Sequence, residues 1–374
     1  MKIAVLGAGM VGRAIAIDLA SDFGVTAFDA SKDNLKLLRE KNSSIQTQQA
    51  DLAYLNQYQS WLTPFDMVVT AVPGFMGFAV LKTVIDCGKN VADISFFPED
   101  VLQLDKLAKE KKVTVITDMG VAPGMSNLIL GRYNEEFTVT NFECYVGGLP
   151  KTRKKPFEYK APFSPADVIE EYIRPARLKE NGRIVIKAAL TDREYINFDE
   201  VGTLEAFNTD GLRSLLYTMP HIENMKEKTL RYPGHVELII ALKDAGFFAE
   251  EEIETNGTWI SPRKFSSKIL FHNWKLDPEE EELTIMKVVV EGNKNGSPQR
   301  VEYNLLDTYD AKTKTSSMSR TTGYACTAGA HLVAKKLFNE KGVFPPELVG
   351  RQKVCFDFVI DYLRERGVKW NKIV

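Results

Sequence analysis

The first thirty residues constrain the chain more than any other stretch. KIAVLG (2–7) is a short apolar run that stops on glycine, and Met10, Val11, Ile15 and Leu19 then recur at helical spacing. A strand buried on both faces reads as such an unbroken run, whereas a strand with one wet face alternates. VTAFD (25–29) repeats the strand signal and NLKLLREK (34–41) the helical one. SIQTQQAD (44–51), FDMVVTAVP (65–73), NVADIS (90–95) and VTVITD (113–118) continue the series, with GFAVLKTVIDCG and PEDVLQLDKLAKEKK as helical stretches between them. Strands separated by helices at this interval imply right-handed crossovers, so the spacing predicts an α/β fold that begins with a doubly wound parallel sheet.

The turn after the first strand carries chemistry. In GAGMVG, Gly7 permits the tight turn, Gly9 lets the backbone approach a pyrophosphate, and Gly12 lets helix and strand pack closely. The anion then rests on free N–H groups at the positive end of the helix. A lone GxGxxG is a weak signal, but here a strand precedes it and a helix follows. Asp29, 22 positions beyond Gly7, ends the second strand where a carboxylate grips both ribose hydroxyls of NAD. The reading is a Rossmann-type dinucleotide site. Met10 and Val11 in the turn, and Asp51, Ala71, Val72 and Pro73 after later strands, are its further cofactor contacts. A 2′-phosphate would meet the charge of Asp29, and DASKDN holds no arginine to neutralise it, although Ser31 and Lys32 soften the repulsion. NAD is therefore expected ahead of NADP. The plain alternative makes Asp29 a turn residue.

Beyond residue 125 the pattern changes. TVTNFECYVGGLP, RIVIKAAL, EKTLRY, LTIMKVVVEGNK and VEYNLLDTY read as mixed or antiparallel strands, with a hairpin at NKNGSPQ. SPADVIEEYI, HVELIIALKDAGFF and SPRKFSSKILFHNW read as helices, as do GYACTAGAHLVAKKLFNE and VCFDFVIDYLRER in the tail. The expected division is a dinucleotide domain over 1–125, completed by tail helices over 323–374, and a second α/β domain over 126–322 for substrate binding and oligomerisation. The long final hairpin offers an edge for a homodimer or higher homo-oligomer.

Composition excludes several classes. A net charge of −2 gives no electrostatic case for nucleic acid or an anionic membrane. No apolar run nears the roughly 20 residues that span a bilayer, and MKIAVLGAG is too short and glycine-rich for a secretory signal. Cys87, Cys144, Cys326 and Cys355 form no CxxC pair and read as reduced thiols of a cytoplasmic protein. Four histidines without HxH or HExxH spacing argue against a metal site.

The ordered set GAGMVG, DMGVAPGMSN, YVGGLP, FSPADVIEEYIRPA followed by GRI, GTLEAFNTDG, KTLRYPGH, SRTTGY and GVFPPE resembles the saccharopine dehydrogenase-like superfamily. Within it the chain is most similar to the lysine 6-dehydrogenases, over nearly its whole length. GAGMVG alone is shared by countless dehydrogenases; the order, with YVGGLP and LRYPGH, is specific. The resemblance implies a small amino-acid substrate and NAD-dependent oxidative deamination of the lysine side-chain amine. The products would be the semialdehyde or its cyclic imine, ammonia and NADH. Saccharopine- or carboxyspermidine-type reductases using NADPH are the alternative, and a non-catalytic NAD-binding sensor is a second.

The resemblance also selects site residues. Asp118, read as the end of the sixth strand, would hold the substrate amine or take its proton, or else merely cap a turn. His235 and Lys160 are the other candidates for that proton, each with a structural or surface role as its alternative. Arg231 suits a substrate carboxylate, and Arg320 with Thr321 and Thr322 makes a second anion-binding candidate. Tyr145, Gly147 and Gly148 in CYVGGLP allow close approach of a ligand. Glu205 and Asn208 would share a face, able to hold an ammonium, if LEAFNTDG is helical.

Overall fold

The computed structural model describes residues 1–163, 165–277 and 279–373, and all their side chains except those of 165 and 166. Six strands alternate with helices in the first part: β1 (Lys2–Leu6), β2 (Gly24–Asp29), β3 (Gln46–Gln49), β4 (Met67–Thr70), β5 (Asn90–Asp93) and β6 (Thr114–Ile116). The second part holds β7 (Thr138–Pro150), β8 (Ala176–Glu180), β9 (Arg183–Lys187), β10 (Glu194–Phe198), β11 (Gly202–Asn208) and β12 (Asn224–Arg231). A small hairpin, β13 (Ile253–Thr255) with β14 (Thr258–Ile260), and the long hairpin β15 (Glu282–Lys294) with β16 (Ser297–Thr308) follow. The tail adds β17 (Gly342–Phe344) and β18 (Trp370–Ile373).

The first sheet has the order β17-β6-β5-β4-β1-β2-β3, and every pairing in it is parallel. The second runs β10-β11-β12-β7-β15-β16-β18, with β8 and β9 attached through β12. It is mixed, because β12 pairs with β7 in parallel while its other partners are antiparallel. Among the described residues no helix is long and apolar enough to cross a membrane.

One apolar core runs from sheet to sheet. Val5, Ala92 and Ile116 of the first share a buried cluster with Cys144, Met286 and Val288 of the second. The helix Ser317–Ala334 lies at the centre of that cluster, and small residues let it be approached closely. A Cβ on Gly323 would lie 3.4 Å from Ala14, and one on Gly329 would lie 2.9 Å from Met119. Ser316 starts the helix, its hydroxyl accepting from the Ser319 N–H at 3.3 Å.

Two local expectations fail, and a third is narrowed. β6 ends at Ile116, so Asp118 lies beyond it, in a turn with φ of 52°. The segment holding Glu205 and Asn208 is strand β11, not a helix, and its three-residue spacing therefore puts the two on opposite faces. β18 covers part of the hairpin edge, pairing from Glu302 to Leu305. Of the predicted helix SPADVIEEYI, Ser164 lies outside the described residues and the helix runs Pro165–Ile173.

The tail docks through two glycines. A Cβ on Gly131, in the helix Met125–Asn134, would sit 2.0 Å from the Glu347 carbonyl oxygen, and one on Gly350 would sit 2.2 Å from that of Leu128. Beside this contact the buried Glu347 carboxylate accepts from Asn127 Nδ2 at 3.0 Å and Thr218 Oγ1 at 2.6 Å. Gly131→Ala must push the helices apart and should cost about 1–3 kcal/mol or more in chemical denaturation. An unchanged midpoint would show that the tail is not packed there.

Candidate active site

A cavity of about 590 Å³ opens between the two sheets at the carboxyl ends of β1, β2 and β4 to β6. That is where an open parallel sheet binds ligands, because the free N–H groups of the following helices point there. All ten predicted cofactor residues line it: Gly7, Gly9, Met10, Val11, Gly12, Asp29, Asp51, Ala71, Val72 and Pro73. Gly7 has φ of 101°, and a Cβ there would stand 2.3 Å from the Ala71 carbonyl oxygen. A Cβ on Gly12 would stand 2.0 Å from the Gly7 oxygen, so helix and strand touch as the motif requires. Gly9 has nothing within 4 Å of its added Cβ, and no side chain caps the helix Met10–Leu19 that starts after it. An open backbone with uncapped N–H groups fits the pyrophosphate of a dinucleotide.

Asp29 serves the turn as well as the cavity. Its Oδ2 accepts from the Ala8 N–H and its Oδ1 from the Ser31 N–H, both at 2.7 Å. Asn34 Nδ2 also donates to both oxygens, at 3.4 Å, long contacts that ribose hydroxyls could replace. Arg13 comes beside Asp29 from the first helix and donates to the Ala8 carbonyl at 3.0 Å. It is the neighbouring arginine that DASKDN alone does not contain.

The substrate half draws on both parts of the chain. Of the predicted residues, Asp118, Gly148, Arg231 and Thr322 line it, with Gly147. Asp118 is buried, and its Oδ2 accepts from Arg213 Nε at 2.9 Å. The Arg213 guanidinium also donates to the Phe97 carbonyl and lies 4.9 Å from the Phe96 ring centroid. Asp118 therefore lines the cavity with one oxygen held by an arginine. Arg231 is similarly engaged: Nε donates to Tyr172 Oη at 3.0 Å, and Nη2 donates to Glu171 Oε2 at 2.9 Å. Its fork already holds a carboxylate.

The remaining candidates lie outside the cavity. His235 is buried behind it, with Nδ1–H donating to the Phe157 carbonyl at 2.9 Å and Nε2 accepting from Tyr172 Oη at 3.0 Å. Burial, then the charge of Arg231, lowers its pKa to about 3, so the ring is neutral and already bonded on both nitrogens. Lys160 donates to the Lys275 carbonyl at 2.9 Å. Tyr145 points off the other face of β7, donating to Glu143 at 3.0 Å. Glu205 pairs with Arg193, and Asn208 donates to Asp192 at 2.9 Å. Arg320 donates to the Thr308 and Arg366 carbonyls at 3.2 and 3.1 Å.

Sequence reasoning missed Glu171, Arg174, Asp210 and Glu227, all of which line the cavity, and Arg213 beneath it. The signal was present in EKTLR. Glu227, Thr229 and Arg231 alternate along β12, so a polar stripe runs down one face of a buried strand. On the neighbouring β7 the same face carries Cys144, Val146 and Gly148, and the glycine leaves room beside Arg231.

Two outcomes follow. Asp118→Asn leaves the buried Arg213 without its counter-charge and should cost about 3–5 kcal/mol of stability; adding Arg213→Met should restore most of it. Two independent losses that simply sum would refute the coupling. His235 stays neutral in the folded protein while the unfolded chain takes up a proton below pH 6.5. Its stability contribution is thus complete above that pH and is lost as pH falls toward about 3. Between pH 7 and 4.5, urea titrations should show wild type losing about 2–3 kcal/mol more than His235→Gln. Parallel pH profiles would show that His235 is protonated in the fold.

Comparison with known proteins accounts for both halves. Residues 3–116 match the saccharopine dehydrogenase NADP binding domain, and residues 120–368 match the saccharopine dehydrogenase C-terminal domain. A saccharopine dehydrogenase [NADP(+), L-glutamate-forming] from Pyricularia oryzae is 25% identical over 266 residues, covering 67% of this chain and 59% of that protein. An alpha-aminoadipic semialdehyde synthase from Arabidopsis thaliana is 26% identical over 64% of this chain and 24% of its own length. The matches thus span less than two thirds of these relatives. The apo saccharopine dehydrogenase (L-Glu forming) from Saccharomyces cerevisiae has the same fold, with a TM-score of 0.80, 18% identity, and coverage of 100% of this chain and 99% of that one. The two family domains together account for nearly the whole sequence, and the chain belongs to the saccharopine dehydrogenase family.

Proposed function

We propose that this protein is a pyridine-nucleotide-dependent oxidoreductase acting on the side-chain amine of L-lysine, with NAD preferred. The charge of the cavity carries the reading. Its substrate half is lined by six carboxyl groups, those of Asp118, Asp167, Glu170, Glu171, Asp210 and Glu227, of which Arg213, Arg263, Arg231 and Arg177 pair with four. Saccharopine brings three carboxylates into such a site; lysine brings one, with two ammonium groups. Of the two lining arginines Arg231 is closed on Glu171, which leaves Arg174 for one substrate carboxylate, so the walls suit lysine better than a tricarboxylate.

When bound, the nicotinamide supplies the hydride acceptor, and the substrate carbon must face it. The glycine turn and Asp29 would hold the dinucleotide. Arg174 is the better partner for the substrate carboxylate, because its ion pair with Glu170 is long, 3.6 Å, while Arg231 is closed on Glu171. Phe96, Val146 and Met318 give the cavity its apolar walls, which exclude water from the reacting carbon. NAD is preferred because Asp29 offers acceptors to both ribose hydroxyls and repels a 2′-phosphate. The family domain is described as NADP-binding, and Arg13 beside Asp29 is the residue that would oppose this preference.

Reduced nucleotide should form with lysine and NAD, and more slowly with NADP. Asp29→Ala should weaken NAD binding roughly ten- to a hundredfold while affecting NADP less. Arg174→Lys should raise KM for lysine with little change in nucleotide affinity. Turnover of saccharopine with NADP, and none of lysine with either nucleotide, would replace this reading with that of the reductases.

A further inference from the structure

We propose that the Glu227 carboxylate receives the ammonium group of the substrate and takes its proton, a role that rests on the amine-oxidising reading above. Four of the other acids of the substrate half are answered by arginines. Asp118 meets Arg213, Glu171 meets Arg231, Asp210 accepts from Arg177 at 2.9 and 2.8 Å, and Glu170 meets Arg263. Glu227 lines the same cavity, is 5% exposed, and its Oε2 has no hydrogen-bond partner. A buried charged or polar oxygen without a partner costs the full desolvation of that group, so the site is incomplete as it stands.

The chain makes room for this carboxyl deliberately. A Cβ on Gly211 would lie 1.6 Å from Glu227 Oε1, so a larger residue in that loop would displace the carboxyl from its present place. The groups around it select the ligand's charge. Glu171 from the helix Pro165–Ile173 and Asp210 from the loop after β11 add negative potential, the Cys144 thiol approaches from β7, and Arg213 opposes them more weakly. An anion would be repelled here, and a hydroxyl would leave the surplus charge unanswered. A primary ammonium brings both donors and a positive charge.

Burial and the two acids raise the carboxyl to about pKa 8, the range in which an acceptor is matched to a proton it must take and release near neutrality. In the proton step the ammonium N–H bond breaks, its electron pair stays on nitrogen, and the proton passes to Glu227 Oε2. No electrons are transferred in this step. It leaves the neutral amine, whose lone pair can then assist loss of hydride from the adjacent carbon.

Calorimetric binding of lysine and of norleucine, which lacks the side-chain amine, tests this in the presence of reduced nucleotide. Wild type should bind lysine at least about tenfold more tightly. Glu227→Gln should remove most of that preference, leave norleucine nearly unaffected, and lower turnover of lysine by roughly two to four orders of magnitude. Glu227→Asp, which keeps the charge, should recover part of the preference. A measurement on wild type alone guards against misfolding of the variants: at pH 7, lysine binding should release close to a proton and norleucine binding none, read from buffers of different ionisation enthalpy. Equal affinity for the two ligands in wild type, an unchanged preference in Glu227→Gln, or equal proton release would overturn the proposal. Wild type that prefers lysine yet oxidises none with either nucleotide would refute the reaction and leave the ammonium site standing.

Discussion

The cleft depends on one buried ion pair. Asp118 follows β6 in the first part of the chain and Arg213 follows β11 in the second, and they meet at 2.9 Å with their side chains almost wholly buried. Both residues sit in the left-handed backbone region, with φ of 52° and 47°. Such conformations are uncommon for residues with a Cβ and persist where surrounding structure enforces them. Here the enforcement is mutual. Asp118 gives Arg213 its counter-charge, and Arg213 stacks beneath Phe96 while gripping the Phe97 carbonyl, which fixes the loop after β5 as well. Three segments of cavity wall are thereby set relative to one another. A buried pair contributes little net stability against an apolar replacement, so its value lies in fixing geometry.

The continuous core performs the same task on a larger scale. A two-domain enzyme with separate cores can hinge, whereas here the helix Ser317–Ala334 packs against the first helix, β5, β6 and β15 at once. The glycines Gly323 and Gly329 let it approach its neighbours without displacing them. The walls that carry Asp29, Glu171 and Glu227 are thus joined through one packed helix.

Legibility in the sequence followed locality. GAGMVG and Asp29 could be read because a nucleotide turn is made by neighbours in the chain, and the parallel strands because their apolar runs report burial directly. His235 and Arg231 were visible as chemistry but not as partners. Only the fold brings Tyr172 between them, linking arginine, phenol and imidazole into one chain of hydrogen bonds behind the cavity. Lys160 and Arg320 bond backbone carbonyls distant in sequence, which no spacing reports. LEAFNTDG was open to a helical reading because Leu, Glu and Ala favour helices, but pairing with β10 and β12 overrides that propensity. EKTLR hid its function because charges at alternate positions look like a strand with one wet face. Both faces are in fact buried: Lys228 turns outward onto Glu194 at 2.6 Å, and Glu227 turns into the cleft.

That last contrast explains how one strand can hold two buried charges with opposite outcomes. Lys228 finds a carboxylate within hydrogen-bond range, and so remains an ordinary ion pair. Glu227 finds a thiol, a glycine and two further acids, with the Arg213 charge opposing them more weakly. The same low-dielectric surroundings that keep His235 neutral behind the wall push Glu227 toward its protonated form in front of it. Burial therefore silences the histidine, whose two nitrogens are already bonded, and primes the carboxyl, whose Oε2 is not. Of the two groups, only the one that lines the cavity and keeps an unpartnered oxygen is placed to exchange a proton with a bound molecule.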